Sequence, residues 1–142
     1  MARTGRTGED GGMDILSSRI LLRPVDLVAT REFYRDVLGL AVAREFGPEG
    51  SGGVVFFLGS GQLEISGSRA PGTPSTLMLW LQVRDVRAEL VRLAGSGLAP
   101  KREARTEPWG LVEAWIEDPD GTRIVLVQVP EDHPIRRDQR DL

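Results

Sequence analysis

The sequence predicts an α+β fold built from two tandem βαβββ modules. Three observations carry that expectation: an internal repeat, apolar spacings that switch between strand and helix periods in each half, and a Pro/Gly/Ser-rich joint at mid-chain. "ILLRPVDL" (20–27) aligns with "LWLQVRDV" (79–86), which brings Asp26 onto Asp85. "GLAVAREF" (39–46) aligns with "GLAPKREA" (97–104), and "GSGQLEI" (59–65) with "PDGTRIVL" (119–126) after one insertion. "SRAPGTPST" (68–76) separates the halves and reads as a linker.

Each half begins with an apolar strand and then an aspartate. Asp26 and Asp85 suit helix N-caps, because a short carboxylate accepts from the first free amides of a helix. Leu27, Phe33, Tyr34, Val37 and Leu38 give the first helix its apolar face, and Gly39 can close it in a left-handed conformation. Val86, Leu90, Leu93 and Ala94 do the same for the second, with Gly95 expected at its end. "VVFFLGSGQLEIS" reads as a hairpin turning at Gly-Ser-Gly. "LVEAWIEDPDGTRIVLVQV" has the same shape, and its Asp-Pro-Asp-Gly fits a type I turn followed by glycine, an architectural element. The expected organisation is a disordered stretch 1–14, a first module 15–67, the linker 68–76, a second module 77–130 and a polar tail 131–142.

Composition narrows the classes of function. No apolar run approaches the roughly 20 residues that span a bilayer, and "MARTGRTGEDGG" lacks the apolar centre of a secretory signal, so a cytoplasmic address is expected. A chain without cysteine has no disulfide, thiolate metal site or cysteine nucleophile. With a net charge of -3 and basic residues scattered apart from "RRDQR" in the tail, no nucleic-acid footprint is expected. The single histidine, His133, lies in the polar tail. "GPEGSGG" (47–53) is rich in glycine but precedes a strand, so it is a loop and not a phosphate cradle at a helix start.

The repeated module, with "VDLVATREFYRDVLGL", "GQLEIS" and "EDPDGTRIVLVQV" at these spacings, closely resembles the vicinal oxygen chelate superfamily over residues 17 to 130. This is the glyoxalase, bleomycin-resistance and extradiol-dioxygenase group. The resemblance implies a curved mixed sheet around a concave pocket. It also implies a divalent metal held by one side chain from the first and one from the last strand of each module, usually His, Glu, His and Glu. Carried over by position, these fall on Arg19, Glu64, Met78 and Val125, so only Glu64 keeps a ligand. A divalent ion needs several N or O donors, and one carboxylate beside an arginine, a thioether and a valine does not supply them. No metal and no cofactor are therefore expected.

Side chains alternate along a strand, so an Arg19 in the first ligand position shares the concave interior with Leu21 and Arg23. Glu64 faces the same interior beside Gln62 and Ser66. A buried carboxylate is costly without a compensating charge. The Arg19 guanidinium is therefore expected to replace the missing cation and pair with Glu64; the alternative has Arg19 reaching solvent and Glu64 at a wet rim. By the same parity Met78, Trp80 and Gln82 line the second module with Arg123, Val125 and Val127, while Leu77, Leu79 and Leu81 back onto the core. Trp109 either stacks on a planar ligand from its loop or folds onto the core. The faces of Trp115, Phe56 and Phe57 are not fixed by the sequence. Glu113 is expected as an exposed strand glutamate, and Tyr34 as core.

The expected function is a metal-free small-molecule binding protein similar to the bleomycin-resistance members, sequestering an antibiotic or other natural product, with the homodimer that this resemblance implies. Its ligand-binding residues are Arg19, Leu21, Arg23, Glu64, Met78, Trp80, Trp109 and Val125. Two alternatives are a metal-independent isomerase or lyase with Glu64 as general base, and a metal-dependent glyoxalase-like enzyme using ligands such as Glu64 and Glu113.

Overall fold

The structure, a computed structural model, describes residues 12–134. The expectations for residues 1–11 and 135–142 lie outside this range. The first module runs β1 (Ile20–Leu22), α1 (Leu27–Glu32), β2 (Val42–Phe46), β3 (Gly53–Leu58) and β4 (Gly61–Ile65). The second runs β5 (Met78–Gln82), α2 (Val86–Ala94), β6 (Arg102–Thr106), β7 (Val112–Glu117) and β8 (Arg123–Gln128).

The strands form two four-stranded mixed sheets, ordered β1-β4-β3-β2 and β5-β8-β7-β6. In each, the first strand lies parallel to the last, and the other pairs are antiparallel. Strand β1 places Leu21 opposite Glu64, and β5 places Trp80 opposite Val125, so the repeat read from the sequence is also a repeat of register. No strand pair joins the two sheets among the described residues, and β1 and β5 are both edge strands.

The caps form as their chemistry dictates. The Asp26 carboxylate accepts from the Ala29 amide at 3.0 Å, and Asp85 accepts from Ala88 at 3.0 Å. Two details depart from expectation. Past Glu32 the first helix continues as a π-helical turn over Phe33–Val37, with the Leu38 amide donating to the Phe33 carbonyl at 2.9 Å. Phe33 and Tyr34, adjacent in sequence, are both buried there, ring edge to ring face at 5.2 Å. The second helix ends at Gly95 as expected, but the left-handed glycine that reverses the chain is Gly97. Gly95 is right-handed, with φ of -64°, whereas Gly97 takes φ of 81°. The Gly97 and Leu98 amides then donate to the Ala94 and Leu93 carbonyls, the paired pattern of a Schellman closure.

One hydrophobic core serves both modules. Leu22, Tyr34, Phe56 and Leu63 belong to the same buried cluster as Leu79, Val86, Ile116 and Ile124. Full burial of a large apolar side chain contributes roughly 1.5–3 kcal/mol. Polar groups also join the halves. The Tyr34 hydroxyl donates to Asp118 at 2.9 Å, the Val25 amide donates to Asp120 at 2.7 Å, and Arg92 donates to the carbonyls of Val37 and Leu38. Asp118 also accepts from the Asp120 and Thr122 amides at 2.9 Å, so the Asp-Pro-Asp-Gly turn is organised by its own first residue.

Candidate functional site

In the first module, Arg19 precedes β1 and Glu64 lies on β4. Their side chains meet, with Nη1 of Arg19 donating to Oε1 of Glu64 at 2.9 Å. Nη2 reaches Gln62 at 3.5 Å. The other oxygen of Glu64 accepts from the Ser66 hydroxyl at 2.5 Å, and Arg23 donates to that same Ser66 oxygen at 2.5 Å. Arg23 itself stands 4.0 Å from Glu64. The hydrogen bond from Ser66, then that from Arg19, hold the Glu64 carboxyl below its usual range, against the opposing effect of desolvation. The Glu64 side chain is only 13% exposed, so its charge is met by protein groups. Leu21 stands beside it on β1, opposite Glu64 and half-exposed.

The second module carries the aromatic half of the face. Met78 and Trp80 on β5 are largely exposed, opposite Arg123 and Val125 of β8. Register also puts Trp115 of β7 opposite Val125, which fixes the face the sequence left open. Arg102 and Arg123 stack on the Trp115 ring, their guanidinium carbons 4.4 and 4.2 Å from its centroid. Leu79 is buried, with Leu77 and Leu81 packed against the core, as alternation requires. In β3, Phe56 is core while Phe57 is half-exposed.

Trp109 does not fold onto the core. It is 57% exposed, and its indole nitrogen donates to Glu113 at 2.8 Å. Nε2 of His133 donates to the Trp109 carbonyl at 2.9 Å, so the lone histidine fastens the loop from the C-terminal side. Glu113 is a correction: it is 8% exposed, not a solvated strand residue, because the Trp109 loop covers it. The sequence also gave no sign of Glu107. That side chain is buried and bonded to both Arg102 and Arg105. Burial works to raise its carboxyl, but the two arginines outweigh it and the net shift is downward.

Arg19, Arg23 and Glu64 are therefore brought together, as are Met78, Trp80 and Val125. No hydrogen bond or ion pair joins these two groups among the described residues. Leu21, Met78 and Trp80 are each at least half-exposed. A separate hollow of about 210 Å³ lies between Arg31, Glu45 and the glycine-rich loop 47–53.

The alternating apolar and polar residues that build this face sit on a chain whose residues 17–126 match the model of the Glyoxalase/Bleomycin resistance protein/Dioxygenase superfamily. The chain belongs to that superfamily. Among solved structures it is similar to TnmS3, an antibiotic binding protein from Streptomyces sp. CB03234, with a TM-score of 0.68 and 22% identity over 82% of this chain and 98% of that one. A glyoxalase / bleomycin resistance protein from Catenulispora acidiphila matches with a TM-score of 0.65 and 24% identity, covering 82% of this chain and all of the other. Lactoylglutathione lyase from Agrobacterium tumefaciens matches with a TM-score of 0.58 and 22% identity, over 78% and 90% of the two chains. Identities this low speak for the shared fold alone. A search of the curated proteins finds no significant match.

The positions that the resemblance assigns to the metal ligands of the superfamily's enzymes are Arg19, Glu64, Met78 and Val125, and the side chains here do not fit a divalent ion. Glu64 is the only hard donor, and both its oxygens are engaged by Arg19 and Ser66. Among the described residues no group of three or more His, Cys, Asp or Glu side chains could hold a metal ion. Also among them, no helix is long and apolar enough to cross a membrane.

Proposed function

We propose that this superfamily member is a metal-free small-molecule binding protein that sequesters an antibiotic or other natural product in the cytoplasm. The observation that carries the proposal is the state of Glu64. The one acid retained among the metal-ligand positions is neutralised by Arg19 and Ser66, which leaves the neighbouring face to organic contacts. Leu21, Met78, Trp80 and Trp109 present apolar surface there, and Arg19, Arg23 and Glu64 supply orienting polar groups. The likeness to an antibiotic binding protein is in keeping with this role.

A homodimer belongs to the same proposal. Strands β1 and β5 are each the edge of their sheet, and a second copy would cover those edges while leaving Leu21, Met78 and Trp80 to the ligand. A general-base role for Glu64 has less support. Proton abstraction near neutral pH favours a carboxyl raised toward that range, and this one is lowered with both oxygens occupied.

Thermal-shift screening against a natural-product panel, followed by native mass spectrometry, tests the proposal. The expected result is a stabilised dimer that releases its compound with mass unchanged. A compound recovered as a converted product, or a panel without a single shift, would overturn it.

A further inference from the structure

The second module's face discriminates among organic ligands, and this inference rests on the binding role proposed above. All three tryptophans of the chain gather on that side. Trp80 and Trp115 flank Val125 from the two neighbouring strands, and Trp109 is tied to Glu113, which shares their face. Trp80 is half-exposed beside Val125, so a flat ring can be laid against it, whereas the Trp115 ring already carries Arg123.

The Trp115 side of the face carries an unanswered charge. Arg102 reaches Trp115 from β6, and Glu107 takes up its charge. Arg123 reaches the same ring from β8, and no carboxylate lies within ion-pair distance of it among the described residues. Glu117, directly across the strand pair, is engaged by Lys101 at 3.8 Å. Glu113 lies further along the face, opposite Val127, and is bonded to Trp109. A guanidinium laid on an indole keeps its edge donors outward, where they fit the two oxygens of a carboxylate or the oxygen of a phenolate. A chain of net charge -3 thus presents at Trp115 a guanidinium with no carboxylate partner among the described residues.

We infer that the ligand is a planar aromatic anion, its ring lying over Val125 against Trp80 and its acidic group on Arg123. An aromatic cation would meet Arg123 and Arg102, and an aliphatic anion would leave Trp80 without a ring to stack on.

Calorimetric titration of the full chain with anthracene-2-carboxylate, with 2-(hydroxymethyl)anthracene as the uncharged match and cyclohexanecarboxylate as the anion without an aromatic ring, tests this. The carboxylate is expected to bind at least about tenfold more tightly than either comparator, the scale of one charge-assisted pair. Arg123→Met should erase the preference over the alcohol while leaving the alcohol's affinity in place. Arg123→Lys should retain part of it, and Trp80→Leu should weaken both anthracenes. Arg87→Met, on the exposed side of α2, should change nothing. Melting temperatures of each variant establish that it is folded. Equal binding of alcohol and carboxylate, a preference that survives Arg123→Met, or anthracene-2-carboxylate binding no better than the cyclohexane acid would each overturn the inference. A natural product that still shifts the melting temperature in those cases leaves the binding role standing, whereas a panel without shifts removes that role by itself.

Discussion

The Tyr34 hydroxyl of the first module donates to the Asp118 carboxylate of the second at 2.9 Å, and both residues are buried. Burial first, then the Asp118 charge, push the Tyr34 phenol upward, so it stays protonated and a donor at any ordinary pH. Burial also raises the Asp118 carboxyl, against the amides of Thr122 and Asp120 and the Tyr34 hydroxyl that favour its charge. The bond joins two distant turns of chain and leaves an acid dependent on its donors.

Tyr34→Phe should therefore cost about 1–3 kcal/mol at neutral pH, the range for stripping a partner from a buried polar group. The sign of the pH effect follows from Asp118. Its folded value is raised above the ordinary 3.8, so its ionised form opposes folding and protonation relieves that opposition as pH falls. The deficit of Tyr34→Phe should shrink on acidification, because the lost donor served the carboxylate. Urea melts at pH 7 and near pH 4 check both statements; a deficit that grows in acid would contradict them.

Glu64 behaves in the opposite sense. Its folded value is lowered from the ordinary 4.5, so its contribution to stability is complete above that value and is lost as pH falls through the lower folded one. Carbon-13 titration of the side-chain carboxyl should show Glu64 below the ordinary glutamate value in the wild type. Ser66→Ala should move it upward, and Arg19→Met should do so too. A Glu64 titration indifferent to both substitutions would show that the observed hydrogen bonds do not govern its charge.

The two glycines after α2 give a backbone test. Gly97→Ala forces a left-handed alanine and should destabilise by about 1–2 kcal/mol, with no neighbour near enough to add a clash. Gly95→Ala sits in right-handed backbone with its Cβ 3.2 Å from the Arg92 carbonyl and should cost less than Gly97→Ala. Denaturant melts that rank the two the other way round would contradict the left-handed assignment to Gly97.

The caps, the succession of elements in each module and the Arg19–Glu64 contact were legible because they depend on short-range or period-two rules. Asp26 and Asp85 act within one helical turn, and parity along β1 and β4 puts Arg19, Leu21 and Glu64 on one face. What stayed hidden depends on distant chain. "AGSGL" offers two candidate glycines, and the choice is made by where the Leu98 amide finds the Leu93 carbonyl. Glu113 reads as a surface residue until the Trp109 loop and His133 fold over it. Trp115 could not be assigned a face without its register against Val125. The burial of Glu107 between two arginines had no local signature at all.

The central claim is that a protein charge, and not a metal ion, satisfies Glu64. Elemental analysis of chain purified without chelators, joined to calorimetric titration with zinc, nickel, manganese and copper, addresses it most directly. The expected result is substoichiometric metal and no binding heat that depends on Glu64. One tightly held ion per chain, lost on Glu64→Gln, would contradict it.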